Sequence, residues 1–283
     1  MSEPFSSISS IAGLSRQEFE KTCKEHTAHY YLGNSLLLCR ILTKYRIYLD
    51  GREVGVTPNI LTDGFWESWI TKFIAGIVQP GFICIDAGAN FGYYSLMLAE
   101  LCGKEGKTIA IEPNSHIAKL LLFTSKLNQH KFIVLQKALA EKKAKLTLFV
   151  PPDFWGGGTI RKDKLEDHLA KEKIDADTMD NLVKELQLPR VDFIKMDCEG
   201  AEPQIFEGMK ETLANNPCIK IVMEYSPFIY KDPTGFTNYL FDTFDVHVIN
   251  ADSVPVLYNK ENMDQLIQLD DHIDLYLTLK NAT

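Results

Sequence analysis

Residues 82–92 read FICIDAGANFG, a short apolar run followed by an acidic, glycine-rich loop. The continuous apolar run over 82–85 is typical of a parallel strand that is buried on both faces. Helix-forming residues follow over 93–101. Glycine in the connecting loop permits a sharp turn and lets a ligand approach the backbone closely. The stretch therefore predicts a strand, a ligand-binding turn and a helix, in that order.

The alternation of strand and helix continues through most of the chain. We predict further strands over 108–111, 132–135, 145–150, 191–196, 219–223, 244–249 and 273–279. We predict helices over 114–128, 179–188, 201–213 and 236–242. Such alternation indicates βαβ units and a mostly parallel sheet. Because the crossovers are right-handed, the carboxyl ends of the parallel strands share one edge, where ligands bind.

Acidic residues stand at four of these strand ends, namely Asp86, Glu112, Asp197 and Glu224. We therefore expect them to meet at the ligand-binding edge of the sheet. Asp86 also makes this loop different from the dinucleotide-binding motif GxGxxG, which binds a pyrophosphate. An acid here repels a pyrophosphate and attracts a cation or an amino group. Glu112 is placed to accept hydrogen bonds from the hydroxyls of a ribose. The pair favours S-adenosylmethionine, whose methionine end carries an ammonium and a sulfonium.

Residues from about 47 to 230 resemble the FkbM family of S-adenosylmethionine-dependent methyltransferases. The matching stretches are 82–94, 111–113, 127–128, 137–139 and 191–202. The most specific lies within the last of them, where residues 195–202 read KMDCEGAE. The resemblance implies a Rossmann-like class I methyltransferase fold of the α/β class. Its seven-stranded sheet is mostly parallel and has an antiparallel last strand.

The resemblance and the strand-end pattern together give the predicted cofactor site. Its residues are Asp86, Gly88, Asn90, Gly92, Tyr93, Glu112, Asn114 and Ala138. We expect Asp86 to neighbour the methionine moiety and Glu112 to meet the ribose. The adenine is expected near Asn114 and the turn 137–139.

The resemblance also implies O-methylation of a hydroxyl on a sugar or another small natural product. An alcohol must lose its proton during methyl transfer, which requires a base or an acidifying metal. We predict Asp197 as the first candidate base, with Glu199 and Glu224 next. Neighbouring carboxylates raise one another's pKa or share a divalent cation, and we favour the arrangement without metal. Glu199 and Glu202 have an alternative interpretation, in which they only complement a helix N-terminus.

Aromatic and acidic residues on either side of the core predict an acceptor pocket. Its residues are Trp66, Glu67, Trp155 and Thr159. The glycine-rich and charged stretch over about 151–173 is predicted to be a lid insertion. Residues 1–75 are predicted to form a helical extension or cap, with a helix over 16–31, and residues 76–283 the methyltransferase domain.

The composition of the chain limits the classes of partner that we expect it to bind. The chain has 283 residues, of which 24% are charged, and a formal net charge of −8. This charge disfavours nucleic acid and anionic membranes, which attract basic surfaces. The six cysteines form no CxxC pair, and no signal peptide or apolar run of membrane-spanning length is present. We therefore predict a cytoplasmic protein with a small-molecule or glycan acceptor. The oligomeric state stays open, a homodimer included.

Two other functions compete with methyl transfer. The first is a nicotinamide-dependent oxidoreductase or epimerase on a similar sheet, which the acid at position 86 disfavours. The second is a methyltransferase fold that binds ligands without turnover. The intact cofactor motif argues against lost binding, but it leaves turnover to be tested.

Overall fold

The computed structural model describes residues 2–129, 131–153, 155–160 and 169–280. Its strands are β1 (Ala28–Gly33), β2 (Leu36–Ile41), β3 (Tyr45–Asp50), β4 (Ile83–Ala87), β5 (Lys107–Ile111), β6 (Ile133–Leu135), β7 (Ala138–Leu139), β8 (Ala144–Val150), β9 (Ala170–Asp177), β10 (Phe193–Met196), β11 (Lys220–Tyr225), β12 (Phe244–Ile249), β13 (Pro255–Tyr258) and β14 (Ile273–Leu279). Its helices are α1 (Arg16–His26), α2 (Thr57–Asp63), α3 (Ser68–Ile77), α4 (Tyr93–Cys102), α5 (Ser115–Leu127), α6 (Met179–Glu185), α7 (Glu202–Glu207), α8 (Lys210–Asn215), α9 (Pro233–Thr243) and α10 (Met263–Ile267).

The central sheet has the strand order β13-β12-β14-β11-β10-β4-β5-β6. Strands β11, β10, β4, β5 and β6 run parallel to one another. The last strand, β14, is inserted between β11 and β12 and is antiparallel to both. The predicted Rossmann-like fold with an antiparallel last strand is thus confirmed.

The sheet has eight strands where seven were predicted. The additional strand is β13, which pairs antiparallel with β12 at the edge. Asn250 reverses the chain between them, because its side-chain oxygen accepts hydrogen bonds from the backbone of Asp252 at 3.0 Å and of Val254 at 2.9 Å. The short strand lacked a pattern strong enough to be predicted.

The predicted helical extension over 1–75 is correct only in part. α1 forms, with a capping box between Ser15 and Glu18, but it ends at His26 instead of continuing to 31. Strands β1, β2 and β3 follow and form an antiparallel sheet. The β1–β2 turn has φ of 49° at Asn34 and 63° at Ser35, and positive φ at both central residues is typical of tight hairpins. Burial along β3 alternates at its start, as in a strand with one solvated face.

The hydrophobic core joins the N-terminal segment to the sheet. One cluster contains Phe19 and Ile47 together with Leu96 of α4 and Leu121 of α5. On the other face of the sheet, a second cluster is built from α6 to α9. Ala75 and Val78, which lie on either side of the predicted domain boundary, both belong to the first cluster. The division of the chain into a cap and a methyltransferase domain stays a prediction.

The predicted helix over 201–213 is divided into α7 and α8 at Gly208. A Cβ atom there would overlap the carbonyl oxygen of Ala140, so the backbone of another segment occupies the side-chain space.

In the described ranges, no helix combines the length and apolar character that crossing a bilayer requires.

Candidate active site

A cavity of about 840 Å³ opens at the carboxyl edge of the parallel strands. Small-molecule sites commonly have volumes of about 300–1,000 Å³. Its wall combines the loop after β4, the ends of β5, β10 and β11, and parts of the first 75 residues. The topology therefore gathers the predicted strand-end residues around one space.

The glycine loop packs directly on the end of β10. Gly88 has φ of 78°, and a Cβ atom there would overlap the carbonyl oxygen of Asp197. The backbone N–H groups of Gly88 and Ala89 both donate to the carbonyl oxygen of Ile111 at 3.0 Å. Gly92 begins α4 with φ of 98°, where a Cβ atom would lie 2.6 Å from Leu121 Cδ1. Only glycine fits the first of these positions without displacing backbone.

Glu112 links the glycine loop to the start of α5. Its Oε2 accepts a hydrogen bond from the backbone of Asn90 at 3.0 Å, and its Oε1 accepts one from Asn114 at 2.8 Å. Burial raises the pKa of Glu112 to about 7, although these backbone hydrogen bonds oppose the rise. Asn114 in turn caps α5, as predicted, through its side-chain oxygen and the N–H groups of His116 and Ile117. Glu112 thus both lines the cavity and shapes its wall.

Asp86 lies beneath the glycine loop. It is buried, its Oδ2 accepts the Ser95 hydroxyl at 2.5 Å, and its Oδ1 has no partner in the described part of the chain. Burial raises the pKa of Asp86 to about 6. Of the predicted cofactor residues, six line the cavity: Gly88, Asn90, Tyr93, Glu112, Asn114 and Ala138. Asp86 and Gly92 are not among the described residues of its wall.

The three predicted catalytic acids line one side of the cavity. Asp197 and Glu199 follow β10, and Glu224 lies near the end of the neighbouring strand β11. Glu199 adopts φ of 52°, a conformation that is uncommon for a residue with a side chain. Glu224 Oε1 accepts the hydroxyl of Ser226 at 2.9 Å.

The environment of Glu199 and Glu224 raises the pKa of both carboxyls. Burial raises the pKa of Glu224 to about 7, and the charge of Asp197 contributes to the rise. Burial, Asp197 and Glu224 raise the pKa of Glu199 well above its ordinary value. A group of carboxyls in which some hold a proton near pH 7 is suited to proton transfer.

Lys195 is a buried cation beside these acids and was not among the predicted site residues. It is 5% exposed, and its Nζ donates to Asp197 Oδ2 at 2.8 Å. The same Nζ lies 5.1 Å from the ring centroid of Tyr94. Burial alone would lower the pKa of Lys195, but Asp197, Glu67 and Asp86 raise it above its ordinary value. The sequence feature that could have identified Lys195 as a site residue is its position two residues before Asp197, because alternate residues of a strand share one face.

A second acidic pair faces this cation. Tyr94 donates its hydroxyl to Glu67 Oε2 at 2.7 Å, and Trp69 Nε1 donates to Asp274 Oδ2 at 2.9 Å. Burial, and next the charge of Asp274, raises the pKa of Glu67 to about 7, while burial raises that of Asp274 to about 6. Asp274 was not predicted. Asp274 pairs in register with Glu224. The two acids become neighbours only because β14 inserts antiparallel next to β11.

Of the predicted acceptor residues, Trp66, Glu67 and Trp155 line the cavity. Thr159 lies outside the described wall, where its hydroxyl donates to the carbonyl oxygen of Glu199 at 3.0 Å. Within the predicted lid, Phe154 and residues 161–168 lie outside the described residues. β9 begins inside the predicted lid, at Ala170.

No group of three or more His, Cys, Asp or Glu residues in the described ranges is arranged to hold a metal ion. Lys195 lies among several of the cavity's carboxyl groups: it pairs with Asp197, and its charge opposes the rise in the pKa of Glu67, Glu199 and Glu224.

Residues 86–280 match the model of the methyltransferase FkbM domain. No curated protein matches the chain. Among solved structures, a SAM-dependent methyltransferase from Aquifex aeolicus is 16% identical, with 75% of this chain and 87% of that chain covered and a TM-score of 0.40. Precorrin-6y C5,15-methyltransferase from Geobacter metallireducens is 12% identical, with coverage of 76% and 88% and a TM-score of 0.42. Aeropyrum pernix fibrillarin, crystallised with bound S-adenosyl-L-methionine, is 11% identical, with coverage of 71% and 68% and a TM-score of 0.41.

Proposed function

We propose a reaction for this chain, which belongs to the FkbM family of S-adenosylmethionine-dependent methyltransferases: the transfer of a methyl group to a hydroxyl of a sugar, a glycan or another small natural product. The observation that supports it is the contact between the glycine loop and the candidate base. Because Gly88 packs on the main chain of Asp197, a methyl donor on the loop would lie beside the carboxylates.

The residues of the cavity fit S-adenosylmethionine. Each carboxylate oxygen of Glu112 accepts one backbone hydrogen bond and keeps lone-pair capacity for a ribose hydroxyl. The buried oxygen of Asp86, which has no partner in the described ranges, and the acids around the cavity favour a cationic ligand. When bound, the cofactor supplies an electrophilic methyl group on its sulfonium.

The chain's own residues then orient the acceptor and accept its proton. We propose that Asp197 takes the proton of the acceptor hydroxyl as the new carbon–oxygen bond forms and the carbon–sulfur bond breaks. Lys195 stabilises the carboxylate of Asp197 through their 2.8 Å ion pair. Glu224, whose pKa is raised to about 7, then holds the proton near neutral pH, and Glu199, whose pKa is also raised, lies beside it as a second acceptor.

Family membership favours methyl transfer over the oxidoreductase alternative. Binding without turnover is the outcome that an activity experiment must exclude. Calorimetry with S-adenosylhomocysteine and with NAD tests the cofactor, and we expect binding of the first only.

Turnover is tested by measuring S-adenosylhomocysteine release with a panel of sugar, glycan, polyketide and amine acceptors. We expect release with a hydroxyl acceptor and a fall of about 100- to 10,000-fold in Asp197→Asn, the usual contribution of a general base. Cofactor affinity should be largely retained. Asp245→Asn, an exposed position on β12, is the matched control. Equal losses of affinity and turnover in Asp197→Asn would assign Asp197 to cofactor binding, and release only with amines would overturn O-methylation.

A further inference from the structure

We propose that Trp155 covers the nucleoside half of the cofactor site, and that Asp50 and Arg52 from the N-terminal segment are the positioning residues that hold it there. The proposal rests on the proposed cofactor site between the glycine loop and Glu112. It reassigns Trp155, which the sequence placed in the acceptor pocket, and it makes the N-terminal segment part of the cofactor site.

The indole of Trp155 lies between the start of α5 and the glycine loop. Trp155 lines the cavity, and its ring centroid is 4.8 Å from that of His116, with an angle of 80° between the planes. His116 lies two residues after Asn114 at the start of α5, on the side where the adenine is expected. The next residue, Gly156, is so close to the glycine loop that a Cβ atom would lie 2.7 Å from Asn90 Nδ2. Trp155 and Gly156 therefore lie over the cofactor loop.

Arg52 and His116 both contact the indole of Trp155. The guanidinium carbon of Arg52 lies 4.8 Å from the centroid of the Trp155 ring, within the range of cation–π contacts. Arg52 donates from Nε to Asp50 Oδ1 at 3.0 Å and from Nη2 to Asp50 Oδ2 at 2.8 Å. His116 Nε2 also lies 3.0 Å from Asp50 Oδ2. A single carboxylate thus orients both groups that contact the indole.

Asp50 is well suited to this role, because its side chain is only 4% exposed. Burial alone would raise the pKa of Asp50, but hydrogen bonds from Arg52 and His116 hold it below its ordinary value. The carboxylate therefore stays charged through the neutral range, and the bidentate contact with Arg52 persists.

Backbone hydrogen bonds also connect the segment before Trp155 to the N-terminal segment. The N–H of Val54 donates to the carbonyl oxygen of Asp153 at 2.8 Å, which joins the segment after β3 to the segment before Trp155. Trp155 Nε1 donates to the carbonyl oxygen of Pro152 at 2.7 Å. β3 is itself attached to α5, because the N–H of Tyr48 donates to Thr124 Oγ1 at 3.1 Å. The position of the indole is thus set by a framework that begins in β3.

With Trp155 assigned to the cofactor, Trp66 and Glu67 are the residues that we assign to the acceptor side of the cavity. Trp66 and Glu67 lie in the segment before α3, and Glu67 is the partner of Tyr94 and a neighbour of Lys195. Trp66 is accordingly the matched tryptophan for a comparison with Trp155, since both line the same cavity.

The test measures S-adenosylhomocysteine affinity and steady-state constants in Trp155→Ala and Arg52→Met. We expect affinity to fall about 10-fold in both, or about 1.4 kcal/mol, which lies within the range of a cation–π contact or of the stacking of a base on an aromatic ring. The KM for S-adenosylmethionine should rise while kcat at saturation and the KM for the acceptor change little. Arg46→Met, on the exposed face of β3, should leave all constants unchanged. Trp66→Ala should raise the acceptor KM only.

Adenosine and methionine, added separately, provide a second readout that needs no destabilised variant. We expect adenosine to quench the intrinsic fluorescence of the wild-type protein, methionine not to, and Trp155→Phe to lose the response. Unchanged S-adenosylhomocysteine affinity in Trp155→Ala, with a raised acceptor KM, would overturn the proposal. A wild-type protein that binds no S-adenosylhomocysteine would instead overturn the proposed function.

Discussion

The main chain of Asp197 occupies the space where Gly88 would carry a side chain, so the cofactor loop and the candidate base are in direct contact. β4 and β10 are adjacent parallel strands, and Ala87 pairs in register with Met196, one residue before each of these positions. The register of two strands therefore decides the distance between a donor on the loop and the proton acceptor. Because the contact is made by backbone atoms, side-chain rearrangement cannot relieve a clash there.

Replacing Gly88 with Ala should affect binding and turnover together. Gly81 is the matched control, because its φ of 84° is close to the φ of 78° at Gly88. A methyl group at Gly81 would have no described atom within 4 Å beyond its chain neighbours, whereas one at Gly88 would overlap the carbonyl oxygen of Asp197. Gly81→Ala should cost about 1–2 kcal/mol of unfolding free energy for its left-handed backbone. Gly88→Ala should cost more and also weaken S-adenosylhomocysteine binding, as measured by urea unfolding and calorimetry. Equal effects of the two substitutions would contradict the contact.

Glu112→Ala should weaken S-adenosylhomocysteine binding by about 1–3 kcal/mol, the scale of hydrogen bonds that involve a charged group. Part of the loss comes from the N–H groups of Asn90 and Asn114, which lose their acceptor. Glu202→Gln is the matched control, since Glu202 is equally buried but lies outside the described cavity wall. Calorimetry that gives the same affinity for Glu112→Ala and wild type would remove Glu112 from the ribose site.

Lys195→Met should lower the free energy of unfolding by up to about 3–5 kcal/mol, because the half-buried Asp197 loses its partner and the buried carboxyls of Glu67 and Asp86 lose a neighbouring cation. The loss should be larger at pH 8 than at pH 5.5, since more of the surrounding acids are ionised at the higher pH. Lys107→Met, at the exposed start of β5, is the control and should have little effect. Urea unfolding at both pH values measures the difference, and a loss independent of pH would argue for lost packing alone.

The unliganded protein should become less stable as pH rises from 5 to 8. Burial raises the folded-state pKa of Glu67, Glu112 and Glu224 to about 7 each, from the ordinary value of 4.5. The folded chain binds more protons than the unfolded chain between these values, so their stabilising effect is present below about pH 4.5 and is lost as pH rises through 7. Urea unfolding should show a decrease of at least about 1.4 kcal/mol, the equivalent of one pKa unit. Glu112→Gln should reduce the slope, and a stability that increases over this range would refute the assignment.

Activity should survive exhaustive treatment with a chelator. Lys195 forms an ion pair with Asp197, and the proposed proton transfer uses the carboxyl groups of the cavity themselves. The measurement is S-adenosylhomocysteine release before and after dialysis against EDTA. Loss of release that added Mg²⁺ restores would show that a metal performs the deprotonation.

The sequence predicted the central sheet because its strands are marked locally. Continuous or mostly apolar runs identify the parallel strands, and Asn114 marks the start of α5 by its capping chemistry. Strands β1 to β3 were missed, since residues 28–50 mix apolar, aromatic and basic side chains without a clear period. Their pairing depends on tight turns with positive φ and on packing against α5, which are not local signals.

The sequence by itself determined that Asp86, Gly88, Glu112 and Asp197 would meet at one sheet edge, because a parallel sheet with right-handed crossovers brings its strand ends together. Only the tertiary structure decided which of these groups reach the cavity: Asp86 lies beneath the loop, while Lys195 stands among the acids. Contacts between distant segments also decided the positions of Asp274 and Trp155. Local patterns fix the order of strands and turns, but burial, charge neighbours and stacking depend on residues that are far apart in the chain.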